Sequence, residues 1–172
     1  MSESRNRAFR PSPFLSILQQ PPRAAARVLG APGYPEVAGN VLFYETGAGV
    51  LVTAEISGLP SAAATCPSPV FAFHIHAGES CTGNETDPFA DALGHYDPQS
   101  RPHPCHAGDM PPLFGNGGYA FLAFFTDRFT VEEILGRTVI IHGGPDDFTS
   151  QPAGNAGAKI ACGVIVPVIR QR

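Results

Sequence analysis

The sequence predicts an all-β fold, a sandwich or barrel of short strands joined by turns and two long loops. Three observations lead there. Gly and Pro are frequent, at 19 and 18 of 172 residues, which favours many turns over long helices. Short β-rich runs recur along the chain, and no long helix-period segment separates them. The composition is 43% hydrophobic and 15% charged, enough to bury the core of one domain of ordinary size. No apolar run approaches the roughly 20 residues of a membrane-spanning helix.

The first 27 residues differ from the rest. Arg5, Arg7, Arg10, Arg23 and Arg27 stand there against Glu3 alone, and Pro11, Pro13, Pro21 and Pro22 break regular elements. The longest apolar run, Phe14 to Leu18, is interrupted by Ser16 and falls short of the about 7–15 apolar residues of a secretory signal. Residues 1–24 are therefore expected to be a flexible, unprocessed arm, and residues 25–172 a single domain. A cytoplasmic location is expected, with a secreted or periplasmic one as the alternative. Beyond residue 27 the chain carries six basic against fourteen acidic residues. That balance argues against a nucleic-acid partner, and nothing points to a membrane.

Taken in order, Arg27–Gly30 is a short run. Val41–Tyr44 and Val50–Ile56 follow, separated by the turn-like ETGAG, and then Val70–His76. A Gly/Pro/polar stretch occupies about 77–118. YAFLAFFT (119–126) resumes the strand pattern, VEEIL (131–135) reads as one helical turn, and TVIIH (138–142) as a buried strand. A second loop runs over 143–157 before KIACGVIVPV closes the chain. An unstructured loop of about 40 residues counts against a compact domain unless it has a task and something orders it.

The histidines supply a candidate. In FHIH (73–76), side chains alternate across the strand, so Phe71, Phe73 and Ile75 share one face and His74 and His76 the other. The two imidazoles then lie about 6–7 Å apart, which suits two ligands of one metal; hydrogen-bonded core histidines are the alternative. The long loop adds His95 in GHYDP, and His103, His106 and Asp109 in HPCHAGD. Three nitrogens and a carboxylate suit tetrahedral zinc, and a metal there would offset the entropy of ordering the loop. His74, His76 and His142 remain for a second metal, and an imidazole-rich set suits copper.

FHIHAGESC, GHYDP, HPCHAGD, IIHGGPDD and GNAGAKIACGVI together resemble, in order and spacing, the signature blocks of the copper/zinc superoxide dismutase family, over roughly Val28 to Ile165. The resemblance implies a Greek-key β-barrel of about eight antiparallel strands, with the metals outside the barrel wall between the two long loops. It implies copper on His74, His76, His95 and His142, and zinc on His95, His103, His106 and Asp109, with His95 shared. Asp146 would link a copper histidine to a zinc histidine; Asp147 is expected to be a turn residue. The implied activity converts superoxide to dioxygen and hydrogen peroxide, with copper cycling between oxidation states and zinc fixing the loop. His95 and Lys159 are the implied catalytic residues. A homodimer and a copper chaperone are the implied macromolecular partners.

The resemblance also implies a disulfide between Cys81 and Cys162, whose loop of about 80 residues would contribute on the order of 4–5 kcal/mol in the chain-entropy model. Such a bridge favours an oxidising compartment, against the cytoplasmic expectation. Cys66 and Cys105 have no assigned counterpart; Cys105 is expected as a buried thiol, a partner of Cys66 or a substitute ligand. Lys159 stands where the family has an arginine. It keeps the positive charge and loses the planar fork. Glu79, Glu85, Asp87, Asp91 and Asp97 in the first loop would oppose the steering of an anion if they face the copper. Two other readings remain: a copper-binding or delivery domain of the same fold, and a different metalloenzyme using the H-x-H pair alone.

Overall fold

The computed structural model describes residues 14–61 and 69–169. Within them α1 (Phe14–Leu18) precedes β1 (Ala24–Gly30), β2 (Ala38–Thr46) and β3 (Gly49–Ser57). β4 (Val70–Phe71) and β5 (Phe73–His76) lead into a long loop carrying one 3-10 turn, Ala90–Ala92. β6 (Leu113–Phe114), β7 (Ala120–Thr126), α2 (Val131–Ile134), β8 (Thr138–His142) and β9 (Lys159–Pro167) complete the chain.

Every strand pairing is antiparallel. Seven strands form one sheet in the order β5-β8-β9-β1-β2-β3-β7, and β4 pairs with β6. β4 runs on into β5 at one edge of the sheet, while β6 contacts β7 at the other. The small pair therefore closes the curled sheet into a barrel, and the connections from β3 to β4 and from β7 to β8 cross between its edges as in a Greek key. Val70–His76, read as one strand, is interrupted at Ala72. The Ala72 N–H donates to the Gly144 carbonyl and its own carbonyl accepts from the His142 N–H. Counting β4 and β5 as one strand gives the eight expected.

The alternation in β3 shows how the core forms. Val50, Val52, Ala54 and Ile56 point inward and are buried, joined by Phe43, Phe71, Phe73, Ile75, Leu113, Ile141 and Ile165 in one apolar cluster. β1 is longer than its sequence suggests. Ala24 and Ala26 have weak strand preference, yet they are fully buried because β1 is central, paired with β2 and β9. α2 is capped at Thr130, whose hydroxyl accepts from the Glu133 N–H while the Glu133 carboxylate accepts from the Thr130 N–H.

Phe14–Leu18 fall within the arm expected over residues 1–24. These residues form a helical turn on the outside of the barrel, with the Phe14 ring 5.6 Å from that of Phe125. Leu51, the cross-strand partner of Phe125, faces outward and is nonetheless buried. Covering apolar surface outweighs the weak helix preference of a segment flanked by prolines. Residues 1–13 lie outside the described residues, as does Cys66.

Candidate metal centre

β5 puts Phe73 and Ile75 into the core and His74 and His76 on the opposite side, yet all four residues are buried. The first long loop folds back over that outer side. The Ile75 N–H donates to the Gly108 carbonyl, and the Ile75 carbonyl accepts from the Tyr96 N–H, so both strands of the loop run against β5. Gly108 is needed for this approach, because a Cβ there would sit 2.2 Å from the Ile75 carbonyl oxygen. The return brings Asp109 opposite His74 and His95 opposite His76.

Two groups of ligand-capable atoms result, each within 4.8 Å of one another: His74, His76, His95 and His142, and His95, His103, His106 and Asp109. His95 belongs to both. The tautomers follow from the bonds. His76 Nδ1–H donates to the Leu93 carbonyl at 2.7 Å, and His142 Nδ1–H to the Gly157 carbonyl at 3.1 Å. Their Nε2 lone pairs consequently face each other 3.3 Å apart, an arrangement that a cation would relieve. His74 Nε2–H donates to Asp146 Oδ2 at 2.8 Å, and His103 Nε2–H to Asp146 Oδ1 at 2.9 Å. One carboxylate thus orients a ring in each group. Among the described residues His74 Nδ1, His95 Nε2 and His103 Nδ1 are buried without a hydrogen-bond partner. His103 Nδ1 lies 3.2 Å from Asp109 Oδ2, within ion-pair reach but outside hydrogen-bond alignment. His95 Nδ1 is 2.7 Å from Asp109 Oδ1 and 3.2 Å from His106 Nδ1. Buried nitrogens left open on the inward side of each group are the donor set that a metal pair fits.

The electrostatics favour the ligand form. Burial, then the neighbouring His95 and His142, pushes His74 down from 6.5 to about 2. Burial likewise lowers His142 to about 4 and His76 well below its ordinary value. The His74, His76 and His142 imidazoles are therefore neutral, as metal ligation requires. Burial raises Asp109, but the His95 hydrogen bond and the charges of His95, His103 and His106 outweigh it and hold the carboxyl at about 2. Asp146 is itself braced: its Oδ1 accepts from the Phe148 N–H at 2.7 Å. Gly154, in the left-handed region at φ +64, leaves it room, since a Cβ there would fall 1.9 Å from Asp146 Oδ1.

Lys159 lies opposite His142 across β8 and β9. Its Nζ donates to Asp87 Oδ2 at 2.7 Å and to the Phe89 carbonyl at 2.9 Å, so its charge is paired. Of the other loop acids, Asp91 accepts from the Thr82 hydroxyl and Glu79 lies 3.7 Å from Arg137. Asp147 is exposed and accepts from the Thr149 and Ser150 N–H groups as a turn residue. Cys81 and Cys162 form a disulfide with Cα atoms 5.7 Å apart. Cys105 is free and exposed, against the buried-thiol expectation. A depression of about 340 Å³ opens beside His142, lined by Ser150, Gln151, Pro152, Ala153, Asn155, Ala156 and Gly157; none of these is charged.

Arg128 had no signal in the sequence beyond a lone cation after β7. Its Nη1 donates to the carbonyls of Pro104, His106 and Asp109, at 3.0, 3.3 and 3.5 Å, and so ties the loop carrying three ligand-capable side chains to the barrel.

The sequence model of the copper/zinc superoxide dismutase family matches residues 37–165. The chain is 36% identical over 158 residues to superoxide dismutase [Cu-Zn] 2 of Aquifex aeolicus, covering 83% of this chain and 86% of that protein. It is 32% identical to superoxide dismutase [Cu-Zn] of Deinococcus radiodurans, over 75% of this chain and 77% of that protein. Its fold is similar to that of Cu/Zn superoxide dismutase from Brucella abortus, with a TM-score of 0.69 at 26% identity, covering 82% of this chain and 98% of the other.

Proposed function

Because the chain belongs to the copper/zinc superoxide dismutase family, we propose that it converts two superoxide anions and two protons into dioxygen and hydrogen peroxide. The observation that carries this reading is His95, a single imidazole common to two groups of ligand-capable side chains. A copper-delivery domain needs neither a second group nor a shared ring. The family's cofactors are copper and zinc; when bound, copper supplies a one-electron redox couple and zinc a fixed, redox-inert charge.

His74 Nδ1 and the Nε2 atoms of His76, His95 and His142 would hold copper. The Nδ1 atoms of His95, His103 and His106, with the Asp109 carboxylate, would hold zinc. Asp146 keeps the His74 and His103 rings in the tautomer that turns Nδ1 to the metal. His95 can take and release a proton at Nε2 while its Nδ1 stays engaged beside Asp109 and His106. The uncharged depression beside His142 would admit a small anion, and Lys159, paired with His142 across β8 and β9, would attract it only as far as its ion pair with Asp87 allows. The reading extends to a homodimer and to copper delivery by a chaperone; light scattering tests the first and metallation by a purified donor the second. The central test is a superoxide-decay assay on protein loaded with copper and zinc, with both metals measured on the same sample. Fast decay at one copper and one zinc per chain is expected. Fully loaded protein that does not accelerate the decay overturns the proposal.

A further inference from the structure

We propose, on the reading of the site as a dismutase centre, that Asp87 limits its attraction for anions by pinning and neutralising Lys159. The pair is built in. Asp87 Oδ1 accepts from the Phe89 N–H at 3.0 Å, so the carboxylate is aimed by the backbone while Oδ2 takes the ammonium. The Asp87 carbonyl accepts from the N–H groups of Asn84 and Ala90, and the Asn84 side chain accepts from the N–H groups of Thr86 and Asp87. The turn that presents Asp87 is thus closed on itself. Lys159 reaches the same turn a second time through the Phe89 carbonyl. Three residues further along β9, Cys162 ties Cys81 of the same loop. To swing toward the depression the ammonium would have to give up both hydrogen bonds to this anchored turn.

The two side chains are 14% and 39% exposed, so solvent only partly screens them. Burial raises the Asp87 carboxyl, but the hydrogen bonds from Lys159 and the Phe89 N–H prevail and hold it below its ordinary value. A cation whose counter-charge lies within hydrogen-bond distance acts on an incoming anion as a dipole, and its pull fades much faster with distance than that of a lone charge. Asp87 therefore decides whether the rim of the site is positive, neutral or negative. With both residues present it is neutral, and with Lys159 removed alone it is negative.

The test uses full-length protein loaded with copper and zinc. The two readouts are dismutation rate against ionic strength, and azide affinity followed by the visible absorption of copper. Asp87→Asn is expected to raise both rate and azide affinity roughly three- to tenfold at low salt and to steepen their decline with added salt. Asp87→Glu, which restores the charge, should bring both back toward the parent. Lys159→Ala should bind azide more weakly than Lys159→Ala/Asp87→Asn, a comparison that stays valid if Asp87→Asn alone loosens the loop, because neither protein contains the pair. Azide affinity and salt dependence that do not respond to the Asp87 charge in either background overturn the inference. A parent that fails to dismutate but whose azide affinity rises with Asp87→Asn would sink the dismutase reading and leave the inference standing.

Discussion

β5 and β8 form a wall with two buried sides, and the two sides are buried for different reasons. On the inner side Phe73, Ile75, Val139 and Ile141 are completely buried within the apolar cluster. Apolar burial has no direction, and the cluster is satisfied once it is filled. On the outer side lie His74, His76 and His142, with His103 and Asp146 packed over them, equally hidden from solvent. Polar burial is directional, and this layer leaves ring nitrogens of His74, His95 and His103 without partners. The barrel should accordingly stand without metal, while the loop layer over it needs metal to be complete.

The largest effect separates the sides from within. Phe73→Ala removes a fully buried ring and is expected to cost about 3–5 kcal/mol, seen as a lowered urea midpoint in metal-free and metal-loaded protein alike. A loss confined to the loaded protein would erase the distinction between the two sides.

Acid attacks the outer side alone. His142 falls from 6.5 to about 4 on burial, and His74 from 6.5 to about 2. Below pH 6.5 the unfolded chain binds the protons that the folded chain refuses. The stability these residues contribute is thus complete above that value and is lost as pH falls toward 4, and further for His74. Each of the two should cost metal-free protein about 2–3 kcal/mol between pH 7 and pH 4.5, about 5 kcal/mol together, measured by urea titration at each pH. A flat profile over that range would mean that the histidines are not held neutral.

Asp146→Ala should leave the barrel in place and lower the affinity for both metals about 10–100-fold, since one carboxylate bonds His74 and His103. Chelator competition for copper and for zinc measures it, and weakening at only one of them would contradict the shared brace. The smallest change expected is for Arg128→Met. Loss of its three carbonyl contacts should weaken zinc binding by about 1 kcal/mol and speed amide exchange over residues 103–110, with the urea midpoint of metal-free protein nearly unchanged.

Several features are legible in the amino-acid sequence alone. The alternation of Phe71, Phe73 and Ile75 with His74 and His76 assigns the two sides of the wall. The histidine-rich blocks point to two metals, and the Gly/Pro content to turns and strands. Other features are not legible there. Ala24–Ala26 reads as too weak a strand, because centrality between β2 and β9 compensates for small side chains. The break at Ala72 is made by hydrogen bonds to Gly144 and His142, and the turn at Phe14–Leu18 by Phe125. In each case the deciding partner lies far away in the chain.

The sequence by itself determined which side chains share a face, which residue types could ligate, and where the chain turns. Strand alternation and backbone sterics act between neighbours, so those features follow from consecutive residues. Only the tertiary structure decided that Lys159 meets Asp87, 72 residues earlier, and that Asp146 bonds to His74 and His103, 72 and 43 residues away. It also decided that Arg128 holds the carbonyls of the loop that begins beyond β5. Apart from Asp109 the loop carries five acids to choose from, and nothing local distinguishes Asp87 among them. The choice falls to the path by which the loop closes over the barrel, anchored at Cys81 and Gly108, because a charged side chain pairs with whichever partner the backbone brings within about 3 Å.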